Sequence, residues 1–168
     1  DFTLDPRAFD RPSGGIVFPN PNAPTSLAVG LDVIEDILQQ HQDCIVIVDE
    51  AYVDFSKVSC VPLLEKYDNL VIVQTMSKSR SLAGLRIGYA LCAPELAAVL
   101  EAVKNSYNSY TMDTVALACG TASVKDDAYF RQTCAKVIAT RERSAEQLRG
   151  LGFTVLPSQT NFLFARHE

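Results

Sequence analysis

Apolar residues along this chain fall into short unbroken runs separated by polar, turn-forming stretches. That rhythm predicts alternating strands and helices. Ile16-Val17-Phe18 is a short β-like run after a Pro-, Gly- and Asp-rich start, Asp5-Pro6 and Asp10-Arg11-Pro12-Ser13-Gly14-Gly15. A turn-forming segment, Pro19 to Ser26, follows it. Apolar residues at 31, 33, 34, 37 and 38 keep helical spacing, so an amphipathic helix is expected from Leu31 to Gln40. Cys44 to Val48 is continuous apolar sequence ending in Asp49-Glu50. A run without alternation predicts a strand buried on both faces, as in a parallel sheet under helices.

The pattern repeats downstream. Leu63 to Tyr67 is a short helix candidate, and Leu70 to Val73 a second buried strand. A polar stretch runs from Gln74 to Ser81, Arg86 to Cys92 reads as a third strand, and Pro94 opens a helix to about Lys104. This alternation predicts an open, mostly parallel α/β sheet with flanking helices. Beyond residue 105 the character changes. Asn105 to Tyr110 reads as a polar, aromatic joint, followed by helices over about Asp113–Val124 and Ala128–Leu148. Gly150 and Gly152 end the second helix. Phe153-Thr154-Val155 and Asn161 to Phe164 read as two strands around the Pro157 turn. The division expected is therefore residues 1–105 and residues 106–168, the latter comprising interdomain helices and the start of a small, incomplete C-terminal α+β domain.

Composition narrows the function classes. The 168 residues, 48% hydrophobic and 21% charged, suit one domain or one and a fraction with a sizeable core. A net charge of −5 gives no long-range attraction for phosphate backbones, so nucleic acid is not an expected partner. Five cysteines at wide spacings, with no C-x-x-C, argue against a disulfide framework or a zinc site and for a reducing, cytoplasmic setting. They are expected to be buried and inert. Two histidines, His41 and His167, leave little from which to build a metal site or hydrolytic triad, and no metal is expected. No apolar stretch reaches the length of a membrane span.

In open α/β sheets ligands bind beyond the carboxyl ends of the strands. Asn22 follows the first run, Asp49 the second, and Lys78 the Leu70–Val73 run. Tyr52 lies three residues past Asp49, Thr75 and Ser77 flank the approach to Lys78, and Arg86 lies eight residues beyond it. Singly, each has an ordinary reading: a capping acid, a packing aromatic, a solvated lysine, a surface arginine.

As a set they read differently. Asp49-Glu50-Ala51-Tyr52, then Ser77-Lys78-Ser79-Arg80-Ser81-Leu82-Ala83-Gly84-Leu85-Arg86-Ile87-Gly88, resembles the fold-type-I pyridoxal-phosphate aminotransferases. Asp49 to Phe55 is most similar to the histidinol-phosphate aminotransferases, and Asn22-Ala23-Pro24-Thr25 is similar to their Asn-Pro-Thr turn. The resemblance covers essentially the whole chain. It implies that Lys78 supplies the amine to which the aldehyde of pyridoxal 5'-phosphate is bound. Asp49 keeps the pyridine nitrogen protonated, and Tyr52 and Asn22 donate to the phenolic oxygen. Arg86, Thr75 and Ser77 hold the phosphate. Freed from the cofactor, Lys78 moves the substrate's α-proton.

The pattern has departures. Relatives usually carry Asn immediately before Pro-Thr-Gly; here that position is Ala23, with Asn22 one residue earlier, and Ser26 replaces the glycine. The resemblance assigns a ring-stacking aromatic and a phosphate loop to upstream sequence, and the carboxylate-gripping arginine to downstream sequence, so the chain reads as a central fragment. Arg166 is read as a surface residue, and Arg80 is given no role. The expected activity of the parent is transamination between an amino donor such as glutamate and a 2-oxo acid or imidazole-acetol phosphate, by a homodimer. The alternatives are a decarboxylase or oxoamine synthase of the same fold, or a non-catalytic domain fragment.

Overall fold

A computed structural model describes residues 2–56 and 58–168. Its centre is a four-stranded sheet: β1 (Gly15–Pro19), β2 (Ile45–Asp49), β3 (Leu70–Thr75) and β4 (Gly88–Cys92), in that spatial order. The first three strands are parallel and β4 runs antiparallel to β3. The open, mostly parallel α/β sheet expected from the sequence is what forms.

The expectation of burial on both faces holds only in part: Leu70, Val71 and Ile72 of β3 are all buried, whereas β1 and β2 bury every second residue. Ile16 and Phe18 of β1 stand beside Val46 and Val48 of β2, which stand beside Leu70 and Ile72 of β3. This row is buried under α1 (Leu31–Gln40), which contributes Ile34, Ile37 and Leu38. The other face is covered unevenly: Val71 is 6% exposed, and Ile45 and Ile47 are half-buried. Val17 is 67% exposed and Val73 37%. Every residue of Ile45–Val48 is apolar, so composition gives no sign of which face is covered; alternation in exposure appears only in the fold. The strand also begins at Ile45, not Cys44.

Other boundaries shift for local reasons. Leu63–Tyr67 is not an α-helix; Val61–Glu65 forms a 3-10 turn, with Pro62 inside it. The Arg86–Cys92 strand shortens to Gly88–Cys92, because Arg86 turns into the left-handed region at φ 55°. Helix α2 (Pro94–Tyr107) runs through residues 105–107, which the sequence placed in the joint. It buries none of its residues, and Val99, Leu100 and Val103 lie open.

Helices α3 (Thr114–Lys125) and α4 (Asp127–Gly150) start on acids that cap them. Asp113 accepts from the Ala116 N–H at 2.7 Å, and Asp126 from the Tyr129 N–H at 3.3 Å. Gly120 lets α3 approach the sheet: a Cβ there would lie 3.0 Å from Ile87 Cδ1. Leu82, Leu85, Ile87, Met76 and Ala116 form a second small core at this contact. In α4 the Arg141 guanidinium is buried and reaches back to Phe55 O at 3.3 Å and Thr160 O at 2.8 Å.

The chain closes with β5 (Thr154–Val155) paired antiparallel to β6 (Ala165–Arg166). Asn161–Phe164, expected as the strand, is two bends followed by two irregular residues. There Ser158 and Thr160 hydroxyls both reach Phe162 O, holding the segment in a turn. Arg166 lies exposed beside Glu168. The cysteines are not uniformly buried: Cys60 and Cys134 are, Cys44 and Cys92 are half-buried, and Cys119 is exposed on α3.

Neighbours on β3 give a direct check of the covered face. Ile72 is 0% exposed, so Ile72→Ala is expected to destabilise the chain by about 2–5 kcal/mol. Val73→Ala should cost under about 1 kcal/mol. Urea unfolding of both variants measures this, and a larger loss at Val73 would reverse the assignment of the faces.

Candidate active site

Three parallel strands end at one edge of the sheet, and antiparallel β4 begins there. Pro19, Asp49 and Val73 lie side by side, and Thr75 pairs with Gly88. The sequence candidates therefore gather by topology: Asn22 after β1, Asp49 at the end of β2, Thr75 to Lys78 at the end of β3, and Arg86 just before β4.

Asp49 and Glu50 divide at this edge. Asp49 is exposed, and one carboxylate oxygen accepts the Ala51 N–H at 3.0 Å. Glu50 is 1% exposed. Its carboxylate accepts from Cys60 N–H at 2.5 Å, Ser59 Oγ at 3.0 Å and Gln74 Nε2 at 2.7 Å. A buried charge is tolerated only with such a shell of donors. Tyr89 extends it, donating to Gln74 Oε1 at 2.7 Å. Burial, then the Asp54 carboxylate, pushes the Tyr89 phenol up, so it stays a donor. Burial, reinforced by the Glu50 charge, pushes the Cys60 thiol far up, so that cysteine stays protonated.

Lys78 is exposed. Its ammonium lies 5.2 Å from the Tyr52 ring centroid, and among the described residues it makes no hydrogen bond or ion pair. Tyr52 is half-buried and meets Phe162 edge-on, with centroids 5.1 Å apart. Thr75 Oγ1 lies 2.9 Å from Ser77 Oγ and 3.1 Å from Ile87 O, and it accepts the Ser77 N–H at 3.1 Å. One hydroxyl proton serves one of those two oxygens at a time. When Thr75 donates to Ile87 O, the Ser77 hydroxyl is the donor between the two side chains. Arg86 is exposed, and its guanidinium donates to Ala83 O at 3.0 Å. Asp49, Lys78 and Arg86 form no ion pair among the described residues.

Asn22 behaves differently. Its amide donates to Thr25 Oγ1 at 2.6 Å, and its backbone pairs with Ser26 and Leu27. The side chain closes its own turn. Ser26, where relatives carry glycine, is buried at φ 65°, and its hydroxyl donates to Thr25 O at 2.5 Å. The structure thus brings Lys78 onto Tyr52 and Thr75 onto Ser77. It sets Asp49 and Arg86 along the same edge and directs Asn22 into its turn.

Sequence reasoning missed four residues. Glu50 was read with Asp49 as one polar pair, although strand alternation puts adjacent residues on opposite sides. Asp54 accepts the Ser79 hydroxyl beside Lys78. Arg80 stacks on Phe130, and Arg141 lies buried in α4. Nothing in the sequence separates these two arginines from surface ones. His41, Asp43 and Cys44, whose ligand atoms lie within 4.8 Å of one another, precede β2 and so sit at the opposite end of the sheet.

The arrangement has the fold of the type-I pyridoxal-phosphate enzymes. The histidinol-phosphate aminotransferase of Sinorhizobium meliloti, solved in complex with pyridoxal-5'-phosphate, superposes at a TM-score of 0.83 and 25% identity, over 91% of this chain and 42% of that one. A decarboxylase from Sulfurospirillum multivorans gives 0.84 at 23% identity over 98% and 50%, which is a likeness of fold alone. The sequence profile of aminotransferase class I and II matches residues 1–167, and the chain belongs to that family. It is 54% identical over all 168 residues to the histidinol-phosphate aminotransferase of Acinetobacter baumannii (strain SDF), covering 46% of that protein. With the enzyme of the same name from Lactococcus lactis subsp. cremoris (strain SK11) it shares 53% over 167 residues, 99% of this chain and 47% of that protein. The chain spans about half the length of the curated relatives it matches.

Glu50→Gln tests the buried carboxylate. It keeps the shape but replaces an acceptor oxygen with a donor amide facing other donors. A loss of about 1–3 kcal/mol is expected in chemical denaturation. Wild-type stability in this variant would show that the Glu50 contacts are dispensable.

Proposed function

We propose that this chain is the lysine-bearing part of a pyridoxal-phosphate-dependent aminotransferase. The intact protein moves an amino group between a donor such as glutamate and imidazole-acetol phosphate, a step of histidine biosynthesis. The observation that carries the reading is Lys78: an exposed amine over Tyr52, without hydrogen bond or ion pair among the described residues, on the edge that also presents Asp49 and Arg86.

The residues present fit the cofactor. Pyridoxal 5'-phosphate carries an aldehyde, a ring nitrogen that must hold a proton, and a phosphate. The edge offers an amine, a carboxylate and a guanidinium, none neutralised by an ion pair among the described residues. When bound, the cofactor supplies an electron sink for negative charge at the substrate's α-carbon.

The chain's own residues do the rest. Asp49 holds the proton at the ring nitrogen. Arg86 offers a planar fork to the phosphate, and the Ser77 hydroxyl, backed by Thr75, adds a donor. Lys78 takes the proton from the substrate's α-carbon and returns it elsewhere. Tyr52 walls the lysine and offers its hydroxyl to the cofactor's phenolic oxygen. Asn22 would have to leave Thr25 to do the same.

Residues 1–105 form the cofactor-binding portion, and residues 106–168 carry the interdomain helices and the start of the small domain. The intact enzyme works as a cytoplasmic homodimer. Groups that stack on the ring and grip the substrate carboxylate come from sequence outside residues 1–168, so this chain alone transaminates poorly. The fold-level likeness to a decarboxylase is tested by adding glutamate to the intact protein loaded with pyridoxal phosphate, where carbon dioxide release from the donor in place of oxo-acid formation would support that chemistry instead.

Borohydride reduction after adding pyridoxal phosphate should leave a pyridoxyl group on Lys78, read by peptide mass spectrometry. Label on other lysines with none on Lys78 would defeat the assignment. Arg86→Lys keeps the charge but loses the fork, so affinity for pyridoxal phosphate should fall about tenfold or more. Affinity for unphosphorylated pyridoxal should hardly change, and equal losses for both would point to damaged folding.

A further inference from the structure

Lys78 sits in a loop where the side chains of Ser77, Ser79 and Arg80 are all engaged. Ser77 is held to Thr75, and Ser79 donates to the Asp54 carboxylate. The Ser81 N–H donates to Lys78 O at 3.2 Å, and the Leu82 N–H donates to Met76 O at 3.0 Å. Arg80 reaches furthest. Its guanidinium carbon lies 3.9 Å from the Phe130 ring centroid, and Nη1 donates to Ser123 O at 2.6 Å.

Both partners lie where α3 meets α4. Ser123 is two residues from the α3 terminus, so its carbonyl has no partner within the helix and lies at the negative end of the helix dipole. A cation is favoured there, and a flat guanidinium can donate to the carbonyl while stacking on Phe130, in the first turn of α4. Arg80 is half-buried and committed to these contacts.

We infer that Arg80 is a positioning residue for Lys78. It fastens the lysine loop to the α3–α4 junction, so that the amine two residues earlier is held over Tyr52. The inference rests on the reading of Lys78 given above. A lysine side chain is long and flexible, and its amine is placed no better than the backbone that carries it. On one flank Thr75 and Asp54 fix that backbone to the strand side. On the other, the Arg80 side chain fixes it to the helices. Loss of the second tether widens the volume the amine samples without removing any group that binds substrate. The cost therefore falls on proton transfer more than on substrate binding.

The test uses the intact protein with three variants: Arg80→Ala, Arg80→Lys and, as a control, Lys66→Ala. Lys66 pairs with Glu35 of α1 at 3.1 Å, away from the lysine loop. Arg80→Ala should lower kcat about tenfold while KM changes less than about twofold. In the cofactor-free protein, amide hydrogen exchange in residues 77–82 should rise in the same variant, and pyridoxyl labelling of Lys78 should slow. Arg80→Lys keeps the cation but loses the stacked fork, and should fall between the two. Lys66→Ala should leave kcat and loop exchange at wild-type values. Unchanged kcat and exchange in Arg80→Ala, with Lys78 still labelled in the wild type, would overturn the role of Arg80 alone. Wild-type labelling that avoids Lys78 would overturn the underlying reading and this inference with it.

Discussion

Ile16 and Phe18, Val46 and Val48, Leu70 and Ile72 lie in one row across three parallel strands, and burial of that row under α1 sets the register of the sheet. Side chains alternate along a strand, so a slip of one residue would turn the whole row to the less covered face. Register in turn decides which residues finish together. With Pro19, Asp49 and Val73 abreast, the loops after β1, β2 and β3 leave the same edge. The candidate chemistry is gathered by a hydrophobic constraint that involves none of the reacting groups.

Alternation also explains how two adjacent acids come to opposite fates. Asp49 ends its strand facing solvent, whereas Glu50 turns inward to Cys60, Ser59 and Gln74. The buried acid ties the loop after β2 to β3, while the exposed one keeps most of its charge unmatched by protein. The lysine loop divides in the same way. Ser77, Ser79 and Arg80 each hold a different part of the fold, and Lys78 alone among them reaches out.

Most of the fold was legible because its strands are short apolar runs and its helices keep a regular period. The edge was legible because Asp49, Lys78 and Arg86 each follow or precede such a run. Coverage of the sheet was not, because Ile45 to Val48 carry no polar residue to mark the less covered side. The end of α2 was hidden because Asn105 and Ser106 are polar yet sit on a helix that buries none of its residues. Arg80 and Arg141 were invisible for a different reason. Arg141 pairs with the neighbouring Glu142 and Arg80 stacks on Phe130, but the contacts that tie them to distant parts of the fold include backbone carbonyls of Ser123, Phe55 and Thr160, and a carbonyl has no letter in the sequence.

The turn at Arg86 sets backbone against side chain. Its φ of 55° suits glycine and costs an L-residue roughly 1–2 kcal/mol. A chain that needed only the turn would do better without a side chain there. Any replacement that relaxes the backbone removes the cation from the edge, and any that keeps a cation keeps the strain. The position is therefore a dead end for gradual improvement. Under the phosphate-holding role proposed for Arg86, no residue available to the chain satisfies both demands, and the local stability of the turn is capped by the charge that role displays.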